Sequence, residues 1–187
     1  MLKITLDTSV LGKEKIDKLK EILRENEFDL ATTSVTDREV RGSPIKPLYS
    51  FFSETVLWDE SEWGKAVWGG DVVEAFVLGE SELGKGRLGS SQSATTFETI
   101  LAIISDGSFP KVNNRENLTE GEKHQLRDAM ILEAHTRERR DILISDDVRA
   151  YISKDDSKRK KLERLCDTKI MTLGEFIRWV SSKEDRS

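Results

Sequence analysis

The stretch Asp141–Tyr151 reads DILISDDVRAY. Its apolar run, Ile142-Leu143-Ile144 with Ser145, ends abruptly in two adjacent acids, Asp146 and Asp147. A short, uninterrupted apolar run is the pattern of a strand buried on both faces of a parallel sheet. Such sheets bind ligands outside the carboxyl ends of their strands, where the strand order reverses. The two acids are therefore expected at a functional edge. One can cap the helix that should begin near Asp147. The other is then held close to a like charge, which calls for a cation or a shared proton.

Moving outward, strands and helices alternate. Leu2–Leu6 (LKITL) is expected as a strand ending at Asp7, and Lys13–Glu25 as an amphipathic helix carrying Ile16, Leu19, Ile22 and Leu23. A strand at Asp29–Thr33 and a short helix at Val35–Arg41 follow, the latter stopped by Gly42 with Pro44 and Pro47 beyond. Thr119 and Glu122 have capping-box spacing for a long helix through about Glu138. After the Asp141–Ser145 strand come a charged helix at Ser157–Cys166 and a last strand at Lys169–Met171. The closing helix, Leu173–Ser181, is opened by a second capping box, Thr172 and Glu175. Alternation of this kind means an α/β fold with a mainly parallel sheet.

The middle, about 50–118, is less legible. It holds Trp58, Trp63 and Trp68, a Gly/Ser-rich loop at Gly84–Ser93, and an amphipathic helix with Phe97, Ile100, Leu101 and Ile104. ESEWGK at Glu60–Lys65 is echoed by ESELGK at Glu80–Lys85, but two copies do not make a solenoid. The tryptophans read as core or as a partner-facing patch in preference to a base-stacking platform.

Composition bounds the function. The 187 residues are expected to form one domain, long enough for a proper core, and 36% hydrophobic with 35% charged residues is a globular balance. No apolar run approaches the roughly 20 residues of a membrane span. No signal peptide is visible at MLKITLDTSV, so the expected location is cytoplasmic. A single cysteine, Cys166, excludes an intrachain disulfide and a cysteine-rich metal site. A net charge of −5 argues against binding nucleic acid through bulk positive charge, without excluding a nuclease. Basic residues do gather late in the chain: Arg137, Arg139 and Arg140, then Lys154, Lys158, Arg159, Lys160, Lys161 and Arg164. They read first as a solvated helix face, and alternatively as a phosphate-tracking edge beside the acids.

Besides Asp146 and Asp147, three acids stand out. Asp7 ends a strand, where Asp also caps turns well. Glu39 lies three residues after Thr36, so a capping box competes with a functional role. Asp128 sits mid-helix in HQLRDAMILEAH, sharing a face with Ile131 and Leu132, where it is desolvated with no cap in view. Carboxylates converging on one sheet edge suit Mg²⁺ or Mn²⁺ better than zinc. Such ions polarise a phosphodiester and lower the pKa of bound water. With no P-loop, no GxGxxG and only His124 and His135 as histidines, metal-assisted phosphodiester hydrolysis is the favoured chemistry.

ITLDTSV, TTSVTDREV, RDAMILEAHTRERRDILISDD and TKIMTLGEFI together resemble, in order and approximate spacing, the motifs of PIN-domain nucleases. The resemblance covers about 1–41 and 122–180. It implies a three-layer α/β/α sandwich around a mainly parallel sheet of four or five strands, with a poorly matching insert at about 42–118. Asp7, Glu39, Asp128 and Asp147 match the family's metal-binding acids, with Asp146 a secondary ligand candidate. Ser9 and Ser145 match positions that support those acids by hydrogen bonding, Ser standing for the commoner Asn and Thr. The implied activity is Mg²⁺- or Mn²⁺-dependent cleavage of single-stranded or structured RNA by an endoribonuclease. Arg137, Arg139, Arg140, Lys158 and Lys161 would then be phosphate contacts. A protein partner such as an antitoxin, or a second copy in a homodimer, is compatible with it. The competing reading is a non-catalytic PIN-like interaction module whose tryptophan-bearing insert docks a partner. A phosphoacceptor receiver domain fits less well, because Asp7 is followed by Thr8-Ser9 and not by a second acid.

Overall fold

The computed structural model of the protein describes residues 1–23, 28–40, 91–111, 114–115 and 117–184. Four parallel strands pair in the order β2-β1-β3-β4, with β1 at Leu2–Leu6, β2 at Phe28–Ala31, β3 at Ile142–Ile144 and β4 at Lys169–Met171. The central pair, β1 and β3, matches Ile4 to Ile142 and Leu6 to Ile144. From β1 the chain first builds outward to β2, then returns to add β3 on the other side. The order therefore reverses between β1 and β3, and a crevice opens beyond their carboxyl ends.

The sheet is buried on both sides, as the continuous apolar β3 demands. Ile142 and Ile144 join Ile4, Leu6 and Leu30 against α1 (Lys13–Leu23), with Ile16 and Leu19 buried. The last helix contributes Leu173, Phe176 and Val180 to the same face. Leu143 and Ile170 face the opposite way, into a second cluster with Phe97, Ile100, Leu101, Leu132, Tyr151 and Leu162. Side chains alternating across the strands thus hold helices on both faces, giving an α/β architecture in three layers.

On that second face lie α2 (Ser34–Glu39), α3 (Ser91–Ile104), α4 (Glu120–Arg137) and α5 (Ser157–Cys166); α6 (Leu173–Glu184) closes the chain on the first. The expected capping boxes both form. Thr119 Oγ1 accepts from Glu122 N at 3.3 Å while Glu122 Oε2 accepts from Thr119 N at 2.7 Å. Thr172 and Glu175 exchange the same pair of bonds at 3.2 and 2.8 Å. No described helix is long and apolar enough to cross a membrane.

Several elements differ from expectation. β2 stops at Ala31, opposite Thr5, and Thr33 instead caps the next helix, its Oγ1 accepting from Thr36 N at 3.2 Å at the start of α2. The strand expected at Asp141–Ser145 pairs over Ile142–Ile144 only. Near Asp147 there is no α-helix but one wide π-turn, Val148–Ile152, terminated by Ser153 at φ +63°. Ser91–Ser93, expected in a loop, are the first turn of α3. The three tryptophans, the ESEWGK/ESELGK echo and the Gly42–Pro47 stop lie outside the described residues.

Candidate active site

Asp7 follows β1 and caps a short 3₁₀ turn, Thr8–Val10, while its own N–H donates to Ile144 O at 3.0 Å. That bond ties the end of β1 to the end of β3. The carboxylate is buried, and its Oδ2 accepts from Ser145 Oγ at 2.7 Å and from Ser9 Oγ at 2.6 Å. Each hydroxyl in turn accepts a backbone N–H from the β3 edge. Ser9 Oγ takes that of Asp146 at 2.9 Å, and Ser145 Oγ that of Asp147 at 3.0 Å. Burial raises the Asp7 pKa above its ordinary value, opposed by the hydrogen bonds of Ser9 and Ser145. Both serines hold this one carboxylate against the cost of its desolvation.

Glu39 ends α2 beside the start of the 3₁₀ turn and accepts a hydrogen bond from Thr8 Oγ1. The capping-box alternative is removed: α2 begins at Ser34, so Thr36 is inside the helix, and Thr33 makes the cap. Desolvation raises the Glu39 pKa, with Thr8, Arg127 and His124 pulling it down and Asp7 pushing it up.

Asp128 comes from the middle of α4. Its backbone oxygen accepts from the buried Tyr151 hydroxyl at 2.9 Å, which pins the π-turn after β3 to the helix. Among the described residues no hydrogen bond reaches its side chain. Desolvation, then the charges of Asp7, Asp147 and Glu39, raise its pKa well above the carboxylate range. Of these acids Asp128 has the least structural compensation and feels all three others.

The neighbouring acids of the β3 edge take different roles. Asp147 is the cap: its Oδ1 accepts from Arg149 N and Ala150 N, both at 2.9 Å, and it also lines the depression. Asp146 turns aside. Its Oδ1 accepts from Leu173 N at 3.0 Å, at the start of α6, and its Oδ2 pairs with Lys15 Nζ at 2.8 Å. Asp146 is thus a latch between β3, α1 and α6, and it does not line the site.

Asp7, Glu39, Asp128 and Asp147 line one cavity of about 480 Å³, together with Thr8, Ser9, His124 and Arg127. Four segments far apart in sequence therefore meet at the crevice between β1 and β3. Their donor set is oxygen-only, the chemistry of Mg²⁺ or Mn²⁺ coordination. Among the described residues, no group of three or more His, Cys, Asp or Glu side chains is already drawn together as a ligand cluster.

The basic residues expected as phosphate contacts fall into two groups. Arg140 is buried, its Nη2 donating to Ile4 O, Asp29 O and the Asp29 carboxylate at 2.7–3.1 Å. Lys158 is buried too, bonding Ile104 O, Arg149 O and the Asp106 carboxylate. Both cations bind the fold together and are not presented to a phosphate. Arg137 lies within reach of Glu133 at 3.7 Å, and only Arg139 and Lys161 stay exposed. None of the five lines the acidic cavity. The basic residues that do line it, His124 and Arg127, lie outside the basic runs that the sequence displays. Their signal was available: with Asp128 they sit at i, i+3 and i+4 on one helix face. His135, on the same helix, is interior, bonded to Thr5 and Thr168 hydroxyls at 2.9 and 2.6 Å.

Comparison with protein-family models finds no match to this chain, and no curated protein matches its sequence.

Proposed function

We propose that the protein is a PIN-like, divalent-metal-dependent nuclease, an endoribonuclease acting on single-stranded or structured RNA. The observation that carries this reading is the convergence of Asp7, Glu39, Asp128 and Asp147 on one cavity at the crevice between β1 and β3. The sequence motifs named above support it, as does the serine pair that holds Asp7 in place.

In this reading Asp7, Asp128 and Asp147 would hold Mg²⁺ or Mn²⁺, with Glu39 completing the site or orienting the attacking water. Bound there, the ion would supply an activated water and would neutralise charge on the phosphate oxygens during in-line attack. The chain's own residues do the positioning. Ser9 and Ser145 fix Asp7 by donating to a single oxygen, so its carboxylate orientation is settled before any ligand arrives. Asp147 commits Oδ1 to the π-turn, which aims its carboxylate without a flexible loop. Tyr151 couples that turn to the backbone of Asp128. Burial and the neighbouring acids hold the phenol pKa well above its ordinary value, so it remains a neutral donor.

The test is cleavage of an internally labelled RNA with Mn²⁺ and with chelator. Cleavage is expected only with the ion, and to be lost in Asp7→Asn and Asp128→Asn. Ser145→Ala should retain activity reduced by about 10–100-fold, the usual cost of losing a group that orients a ligand. Full activity in either Asp variant would overturn the site assignment. The second reading, a non-catalytic interaction module, draws on the lack of a preformed three-ligand cluster among the described residues. It expects no cleavage under any ion. An adjacent reading frame encoding a small DNA-binding protein would favour a toxin role.

A further inference from the structure

The acidic cavity has an electrostatic problem that its acids cannot solve. Four carboxylates gathered in one cavity offer a polyanionic strand no favourable contact of their own, so a strand docked there needs hydrogen-bond donors from another element. The side chains that relieve this stand on the first two turns of α4. His124 and Arg127 line the same cavity as the acids, and α2 and α4 pack together so that Glu39 lies across from them. The field of Arg127 reaches both Glu39 and Asp128, and that of His124 reaches Glu39. Their placement is independent of the carboxyl-end logic that gathers the acids, since it follows from helical spacing alone: His124, Arg127 and Asp128 share one face of α4. The more obvious cations do not offer this. Arg137, Arg139, Arg140, Lys158 and Lys161 all lie outside the cavity lining.

Resting on the nuclease reading above, we propose that Arg127, assisted by His124, is the substrate-phosphate subsite of the cavity, gripping a backbone phosphate of single-stranded RNA at the α2–α4 rim. A guanidinium presents its N–H donors in a planar fork that matches two phosphate oxygens, whereas an ammonium offers only a point charge. His124 is exposed at the cavity mouth and contributes a ring N–H from one turn earlier on the helix. The strand so held lies along the rim from α4 towards α2. The acids then face the phosphodiester from beneath, and neither residue is called on to bind the metal.

The experiment uses the full chain in an Asp128→Asn background, so that RNA is bound without being cut. A fluorescein-labelled, mixed-sequence single-stranded RNA oligonucleotide is titrated by fluorescence anisotropy over a range of salt concentrations. Adding Arg127→Ala is expected to weaken binding by about tenfold or more, the worth of a charge-assisted hydrogen bond. The slope of log affinity against log salt should fall by about one phosphate contact. Arg127→Lys should recover the salt slope but only part of the affinity, and His124→Ala should give a smaller loss. In the otherwise wild-type chain, Arg127→Ala should raise KM more than it lowers kcat, with Mn²⁺ affinity from thermal shift unchanged. RNA affinity and salt slope unaltered by Arg127→Ala, in a variant whose melting curve shows it folded, would overturn the proposal, as would failure of the parent chain to bind RNA. Failure of the nuclease reading looks different: RNA binding still depends on Arg127, but no ion restores cleavage.

Discussion

Asp128 shows most clearly what a single residue costs this fold. Its pKa is raised, so the folded chain keeps a proton over a pH range where the unfolded chain, at about 3.9, has lost it. Ionisation of Asp128 therefore opposes folding increasingly as pH rises above the ordinary carboxylate range. Asp128→Asn removes that penalty. With chelator at neutral pH the variant should be more stable than the parent by about 1–2 kcal/mol, the scale of an uncompensated desolvated group. That corresponds to a melting point higher by about 2–4 °C per kcal/mol, and the gain should vanish near pH 4. Mn²⁺ should reverse the ranking by stabilising the parent and not the variant. A variant less stable than the parent at neutral pH would show that Asp128 is held by structure after all. His135 works with the opposite sign. Burial and the adjacent Arg140 lower its pKa from 6.5 to about 3, so the unfolded chain binds a proton that the folded chain refuses. The stability it leaves intact above pH 6.5 should decline by about 1.4 kcal/mol per unit as pH falls towards 3. His135→Gln should flatten that acid limb in denaturant titrations, even if its plateau is lower.

At the scale of elements, α2 is the piece on which Glu39 depends. It is short, Ser34–Glu39, and too brief to stand without tertiary support and its cap. Thr33 supplies that cap from just beyond the end of β2, and Val35 and Val40 anchor the segment in the two cores. Thr33→Ala is expected to cost about 1 kcal/mol of global stability. It should also lower activity more than that loss explains, because Glu39 is carried on the last residue of the frayed helix. Equal activity in the variant would separate Glu39 from the reaction. The sequence misleads here for a physical reason. Thr33 and Thr36 are both capable caps three residues apart, and only the sheet register, which ends β2 at Ala31 opposite Thr5, decides which is used. The π-turn after β3 was illegible for a similar reason. Asp147 announces a helix start, but the buried Tyr151 is drawn to the backbone of Asp128, and Ser153 at positive φ ends the turn after five residues.

Over the whole molecule, the parallel sheet and the edge where the acids meet were readable from strand patterns and from carboxylates placed at strand ends. Alternating elements carry topology, and topology decides which termini share a crevice. Side-chain destinations were not readable in the same way. Arg140 and Lys158 sit in a basic run that looks solvated, yet both are buried among backbone carbonyls and acids that only folding brings near. The split between Asp146 and Asp147 likewise depends on where Lys15 and the start of α6 lie, which no local pattern encodes. Whether the four acids lining one cavity hold a divalent ion, as proposed, is tested most directly by anomalous X-ray scattering from crystals grown with Mn²⁺. The expected result is an anomalous peak within ligand distance of Asp7, Asp128 and Asp147, absent from Asp128→Asn crystals. A well-ordered cavity without a peak at saturating Mn²⁺, or an ion bound elsewhere, would contradict it.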